Sequence, residues 1–451
     1  MKQATKTLIR ALVERLPVRA KLALVSLLTA DTRIPPGLAT ALRASAAGDH
    51  ATAEQALEKA MSIAPTDSRF PPHLSRVRFL KARAANPAAL ATAAQLRASL
   101  AAMEAEIRRH SLYVPSEFWE SWGRFDDKLL ADYGIENFKR TVSHNYQNWM
   151  MTSANDSQVR RLHELWPLHR SHQPWLNAME APDHVGSAVD PQSTRLEYPL
   201  ADARKREIYR VAVGLLWEYV RSTDSFGVLD GLTELEVGNP LRIWRNGRLI
   251  SSDIAHSVRE RNILLNTLGL NGAEALTVAE LGAGHGRLAE IFGRTTNYRY
   301  FIFDITPALG VSQWYVKSIF PHERIFEFRH FESFAQIESE LRECRFAFFT
   351  ANQIELIPDD AFDLFINMNS LMEMRPDQVR NFLGQIDRLT TRAFLSRQWL
   401  KWRNPDEGHS LAKEDFALSE RWRVGLDQID DIFPEFFNQV WQRAGSSALR
   451  R

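Results

Sequence analysis

The chain has 451 residues, more than one ordinary domain needs, with the 45% hydrophobic and 25% charged residues of an average globular protein. Lys plus Arg (56) nearly cancels Asp plus Glu (55), so no net charge recommends nucleic acid or an anionic membrane as a partner. The single cysteine, Cys344, excludes an intrachain disulfide, argues against a cysteine zinc site and fits a reducing cytoplasm.

The N-terminus, MKQATKTLIRALVERLPVRAKLALVSLLTA, is basic and then apolar, but its charges are spread from Lys6 to Lys21. A signal peptide would have a compact basic start, so the segment reads as a helix packed on its neighbours, with a membrane-surface helix as the alternative. No stretch approaches the roughly 20 apolar residues of a membrane span. Residues 1–110 are Ala-rich and helical in period, and 46–65, AAGDHATAEQALEKAMSIAP, resembles half of a tetratricopeptide repeat. Its small residues Ala53, Ala56 and Ala60 sit where helices would pack closely, and no second copy follows. This region is expected to be structural, with docking of a protein partner as the alternative.

From 111 to 230 the composition turns aromatic, as in SEFWESWGRF, and these rings read as core. Phe138, Val142, Tyr146 and Trp149 are spaced as on one helical face. His169, His172 and His184 lie in a Pro-, Gly- and Ser-rich stretch, in no metal-ligand spacing, and are expected to be solvated; no metal is expected. From 231 onward, strand-length apolar runs alternate with helical stretches. The runs are LTVAEL (276–281), YRYFIFDI (298–305), FAFFTA (346–351), FDLFINM (362–368) and RAFLSRQW (392–399). This predicts an α/β fold: a Rossmann-like, doubly wound parallel sheet over 231–451, preceded by α-helical regions. Ligands of such sheets bind at the C-terminal ends of the strands.

At the first of those ends stands VAELGAGHGRLAEIF (278–292). Gly282, Gly284 and Gly286 read G-x-G-x-G, and Arg287 occupies the place where a dinucleotide turn needs its third glycine. No Gly-Lys-Ser/Thr follows, which excludes a phosphate loop. An acid, then G-x-G-x-G, is the pattern of S-adenosyl-L-methionine-dependent methyltransferases. The glycines let the backbone approach the methionine part of the cofactor, and Glu280 would face its ammonium group. Asp304, ending the next run, suits both ribose hydroxyls.

The chain resembles a family, the sugar O-methyltransferases of bacterial polysaccharide gene clusters. The resemblance rests on YGIENFKRTVSHNYQNW (133–149), GNPLRIWRNGRLISSDIAHS (238–257), AELGAGHGRLAEIF (279–292), YFIFDITPALGVSQWYV (300–316), FDLFINMNSLMEM (362–374) and FLSRQW (394–399). It covers about 111–451 and implies methyl transfer from S-adenosylmethionine to the hydroxyl of a sugar or glycan acceptor. At 285, where relatives are expected to carry an aromatic, this chain has His.

A sugar hydroxyl needs a general base. Glu373, just past the fourth run, is the first candidate, followed by His256 and His285, with His409 in a polar loop that could close over substrate. Asn352, Gln353 and Asn367 are candidates for holding the cofactor. Asn239, Arg248, Asp253, Asn369, Gln398, Trp399 and Trp402 could bind the acceptor, since amides, acids and Arg bond hydroxyls and Trp faces pack on sugar rings. Two further readings stay open: the same cofactor with a non-sugar small molecule or lipid acceptor, and a scaffold protein with a degenerate cofactor fold.

Overall fold

A computed structural model describes residues 36–66, 70–142, 156–165, 177–180, 203–404 and 408–445. The basic N-terminal segment and His169, His172 and His184 lie outside them. Among the described residues, no helix is long and apolar enough to cross a membrane.

Helices α1 (Pro36–Ala46) and α2 (His50–Ile63) form a hairpin, and α3 (Phe70–Ala84) packs on α2. Asp49 caps α2 by accepting from the Thr52 amide at 3.0 Å. Ala53, Leu57 and Ala60 are buried between the helices. Helix α4 (Pro87–Ile107), capped by Asn86, crosses onto the sheet domain: a Cβ added at Gly310 would meet Leu100 at 2.5 Å. Helix α5 (Glu117–Tyr133) is capped by Ser116 and ends at Gly134, whose φ of +86° breaks the helical period.

The expected helical face from Phe138 onward is therefore corrected. Phe138 lies in a 3₁₀ turn, Ile135–Arg140, and Val142 just beyond it, both buried; Tyr146 and Trp149 fall outside the described residues. Packing decides the outcome, because Phe138 closes tightly under Gly238, where a Cβ would meet its ring at 2.3 Å.

Helix α6 (Asp156–Leu165) is followed by strand β1 (Ala178–Met179) and helix α7 (Ala203–Thr223); β1 joins β2 (Ile243–Arg245) and β3 (Arg248–Ile250) in a small antiparallel sheet in the order β1-β2-β3. Helix α8 (Ser252–Leu268) leads into the main sheet. Its strands are β4 (Thr277–Leu281), β5 (Arg299–Asp304), β6 (Ile325–Phe326), β7 (Phe346–Thr350), β8 (Phe362–Met368) and β9 (Thr390–Trp399). A hairpin, β10 (Lys401–Arg403) with β11 (Ser410–Ala412), precedes β12 (Trp422–Ile429) and β13 (Phe436–Arg443).

The main sheet runs β12-β13-β9-β8-β4-β5-β7-β6. From β9 to β6 all pairs are parallel, while β13 runs antiparallel to β9 and β12 antiparallel to β13. Helices α9 (Arg287–Thr295), α10 (Ala308–Ile319), α11 (Glu338–Glu343) and α12 (Pro376–Leu389) connect the parallel strands. Alternate strand residues feed separate cores: Ala279, Phe301 and Phe365 belong to one, Val278, Ile302 and Ile366 to the other. This is a doubly wound, Rossmann-like sheet, with the five expected runs as β4, β5, β7, β8 and β9. The β12–β13 pair was not foreseen. Because β5 and β8 flank β4 on opposite sides, a crevice opens at the end of β4.

Candidate active site

Strand β4 ends in Glu280 and Leu281, and the chain then turns back through three glycines, all with positive φ: Gly282 (+74°), Gly284 (+59°) and Gly286 (+84°). Space as well as conformation excludes a side chain at the first, since a Cβ on Gly282 would fall 2.2 Å from Ser370 Oγ. The turn is stitched to β5: Gly282 N donates to the Phe303 carbonyl at 2.8 Å and Gly284 N to Asp304 Oδ2 at 2.9 Å.

A cavity of about 550 Å³ opens in front of this turn, within the size range of small-molecule sites. Glu280, Gly282, Gly284 and Asp304 line one end, with Asn369, Glu373, Trp399 and Trp402 also in its wall. Burial pushes the Glu280 carboxyl up to about 8, against a 2.8 Å hydrogen bond from Tyr300 and the charge of Arg287. Burial also raises Asp304 to about 7, against hydrogen bonds from the Ile305, Gly284 and Ala283 amides. Glu373 ends a short 3₁₀ turn after β8 and is half-buried, opening on the cavity. Enclosure raises its carboxyl to about 8, and the Trp119 side chain opposes this by a hydrogen bond to it. Among the described residues, none of these three acids forms an ion pair. Acids without an ion pair at a glycine-walled cavity fit a cationic cofactor: a positive charge brought beside Glu280 would hold it ionised.

The other expected residues fall into distinct places. Asn369, at φ +65°, lines the cavity while its Oδ1 accepts from Arg397 at 2.9 Å. Asn367 and Gln398 lie beneath the wall. Asn367 Nδ2 donates to the Leu281 carbonyl (2.8 Å) and to Ser370 Oγ (2.6 Å), and its Oδ1 accepts from Gln398 Nε2 at 2.6 Å. This pair ties the ends of β4, β8 and β9 together and does not face the cavity. Asn352 and Gln353 follow β7; neither lines the cavity, although their neighbour Ala351 does. Asn352 Nδ2 donates to Glu106 of α4 at 3.1 Å, and Gln353 caps its turn by accepting from the Thr350 amide at 3.1 Å.

His256 and His285 do not line the cavity. His256 is buried in α8 with its ring 5.6 Å from Phe433, and burial together with the charges of Arg397, Arg287 and Arg259 holds it neutral. His285 points to the underside of the glycine turn, 5.3 Å from the Phe138 ring and 3.8 Å from Asp253, and burial holds it neutral too. Asp253 is buried there, pushed up to about 7, and does not reach the cavity. Asn239 is a turn residue at φ +52° whose Nδ2 donates to Asn137 at 2.7 Å. Arg248 is exposed and donates to the Asp230 and Leu232 carbonyls. Neither is near enough to line the cavity. His409 bonds the Met374 carbonyl at 3.1 Å, steadying a cavity residue from behind.

Sequence reasoning missed the contribution of residues 113–119. The reading of these aromatics as core is corrected for Phe118 and Trp119, which line the cavity with Tyr113, Pro115 and Ser116. Arg375 Nη1 donates to the Val114 carbonyl (3.0 Å), and Gln378 Nε2 to the Leu112 (2.8 Å) and Val114 (2.9 Å) carbonyls. Ser116 Oγ donates to the Glu373 carbonyl at 3.3 Å. The segment is thus fastened to the very turn that carries Glu373. Arg403 and Ser370 were also missed; a guanidinium on a three-residue strand or a hydroxyl in a turn leaves no periodic signal.

No family model and no curated protein matches the chain. Among solved structures, it is similar to magnesium protoporphyrin IX methyltransferase of Synechocystis with bound SAM, at 11% identity over 43% of this chain and 82% of that one, TM-score 0.30. It is similar to 1,6-didemethyltoxoflavin-N1-methyltransferase of Burkholderia thailandensis with bound S-adenosylhomocysteine, at 16% over 43% and 80%, TM-score 0.28. A Galdieria sulphuraria protein described as a sarcosine dimethylglycine methyltransferase matches at 15%, over 33% of this chain and only 46% of that one, TM-score 0.24.

Proposed function

We propose that the protein is an S-adenosylmethionine-dependent O-methyltransferase whose acceptor is a sugar hydroxyl, acting in the cytoplasm in glycan or surface polysaccharide synthesis. The observation that carries the reading is one cavity lined at one end by the glycine turn, Glu280 and Asp304 and elsewhere by Glu373 and tryptophans. When bound, S-adenosylmethionine supplies an electrophilic methyl on a positively charged sulfur. Glu280 and Asp304 would hold its ammonium and ribose, and the glycines leave room for its methionine part.

The protein's share of the chemistry is alignment and proton removal. Glu373 would take the acceptor hydroxyl's proton, freeing the oxygen to receive the methyl that bound S-adenosylmethionine would supply. A carboxyl of pKa about 8 is a base matched to neutral or slightly alkaline pH. Trp399 and Trp402 offer faces to a sugar ring, and Phe118 and Trp119 help close the cavity to water. Asn367, Gln398, His256 and His285 are supports in this scheme. Helices α1–α3 as a docking module for a protein partner remain a separate proposal.

A second reading, a flat aromatic or lipid acceptor, is favoured by Phe118, Phe382, Met368 and Met374 in the same wall. Calorimetry with S-adenosylhomocysteine tests the donor half: binding is expected, weakened at least tenfold by Asp304→Ala. No binding by folded wild type would overturn it. Label from methyl-labelled cofactor should enter carbohydrate fractions; label confined to a lipid or aromatic fraction would select the second reading.

A further inference from the structure

The mouth of the cavity has two jaws. One is the start of α5, bearing Ser116, Phe118 and Trp119; the other is the β10–β11 hairpin, bearing Trp402 and Arg403. They meet edge to face, the Phe118 and Trp402 ring centres lying 6.0 Å apart. Two guanidinium groups line this cavity, and they differ completely in what they touch. Arg287 is buried and held by Glu260 (2.5 Å) and Ser257 (2.8 Å). Arg403 is exposed at the rim and makes no ion pair or side-chain hydrogen bond among the described residues.

Other exposed arginines, such as Arg43, Arg97 and Arg380, also have no partner among the described residues, but none of them lines the cavity. Arg259 and Arg397 share Asp430, Arg388 binds Asp359 and three backbone carbonyls, and Arg375 is tied to the 112–114 backbone. Arg403 is carried on a short strand, paired to Ser410 across the hairpin, so its base is positioned while its planar fork is open. Such a fork matches the two oxygens of a carboxylate or phosphate. It also stands on the acceptor side. Its strand follows β9, two strands from β4 in the sheet order, whereas the glycine turn and Asp304 mark the ends of β4 and β5.

We propose that the acceptor is an acidic sugar, whose carboxylate or phosphate pairs with Arg403 while its ring lies against Trp402 and Trp399. The proposal rests on the sugar reading above. The anion anchors the ring at the rim and turns a hydroxyl inward to Glu373, so that charge selects the substrate and Glu373 acts on it.

The test uses full-length protein saturated with S-adenosylhomocysteine, titrated at low salt with glucuronate, glucose 1-phosphate and glucose, and followed by tryptophan fluorescence, since Trp119, Trp399 and Trp402 line the cavity. At least one acidic sugar should bind about tenfold tighter than glucose, as one charge-assisted contact at a partly exposed site allows. Glucuronate ahead of glucose 1-phosphate identifies a carboxylate, the reverse a phosphate. Arg403→Gln should abolish the preference and Arg403→Lys should keep part of it, with S-adenosylhomocysteine affinity unchanged in both. Equal binding of all three sugars, binding of none, or a preference that survives Arg403→Gln overturns the proposal. So does a tenfold loss of S-adenosylhomocysteine affinity in Arg403→Gln, which would give Arg403 to the cofactor. Failure of wild type to bind S-adenosylhomocysteine overturns the methyl-donor reading instead, and the sugar titration is then read without it.

Discussion

The two sides of the glycine turn carry similar residues in opposite states. On the cavity side, Glu280, Asp304 and Glu373 have no cationic partner and are all raised in pKa by burial. On the underside, Lys139 Nζ reaches Glu234 (2.5 Å) and Tyr315 (2.7 Å), Tyr315 donates to Glu290 (2.5 Å), and Arg294 pairs with Glu290 (2.6 Å). Arg287, which also lines the cavity, closes the set against Glu260 (2.5 Å). Buried charge is costly unless paired. Asp253 is the exception on the underside, raised to about 7 by burial with neutral His285 beside it. A fold that pairs its other acids on that face and leaves all three unpaired on the cavity face has left room there for a positive charge from outside.

The largest effect should come from the acid assigned to the acceptor. Glu373→Gln keeps the side-chain volume and removes the base, and should lower the methylation rate by about 10²–10⁴-fold. S-adenosylhomocysteine affinity, read by calorimetry, should stay within about twofold; a comparable loss in binding would mean that Glu373 holds the cofactor. The contrast between the two faces is broken most directly from below. Lys139→Met leaves Glu234 buried without its cation and should cost about 3–5 kcal/mol in denaturant unfolding. Glu280→Gln, by comparison, replaces an acid that folding already penalises, so stability should hold or rise slightly while cofactor affinity falls about tenfold or more. Equal destabilisation by both variants would erase the distinction.

The cavity side of this contrast was largely legible in the sequence and the underside was not. Gly282, Gly284 and Gly286 are needed for main-chain reasons, and Glu280 and Asp304 end strands, so position along the chain is position in the site. The acceptor side has no such local mark. Trp119 reaches Glu373 across most of the chain, and an aromatic facing a cavity has the same helical spacing as one facing a core. His256 and His285 illustrate the converse error: a histidine near a motif reads as a base, but neither of these two lines the cavity, and burial beside positive charges weakens their hold on a proton. Strand β12 was missed because it is an edge strand with mostly exposed residues, including Arg423, Val424 and Asp427, and β13 because Asn438, Gln439 and Gln442 interrupt its apolar run although it is mostly buried.

A pH series sharpens the comparison further. Glu280 and Asp304 have raised pKa values, about 8 and about 7; an ammonium beside Glu280 and ribose hydroxyls donating to Asp304 would both lower them. Ligand affinity should therefore be full above pH 8 and fall as pH drops through 8 to 6, by roughly tenfold or more over that window. Calorimetry in two buffers of different ionisation enthalpy should show proton release on binding near pH 7. In Glu280→Gln that release should shrink; unchanged release would place the titrating group elsewhere.

The smallest effect tests the hydrogen bond that the 113–119 segment contributes. Trp119 bonds the Glu373 side chain and holds its pKa below what burial alone would give. Trp119→Phe removes the donor and keeps an aromatic at the mouth, so the Glu373 pKa should rise further. The alkaline-side increase of kcat/KM should move up by about half to one pH unit, since a neutral-to-charged hydrogen bond of roughly 1 kcal/mol is at stake. Unfolding in denaturant should change little, because the ring still packs against Phe118. A lower rate with an unmoved pH profile would leave Trp119 a wall of the cavity and nothing more; a moved profile ties the aromatic region before the sheet to the chemistry at its edge.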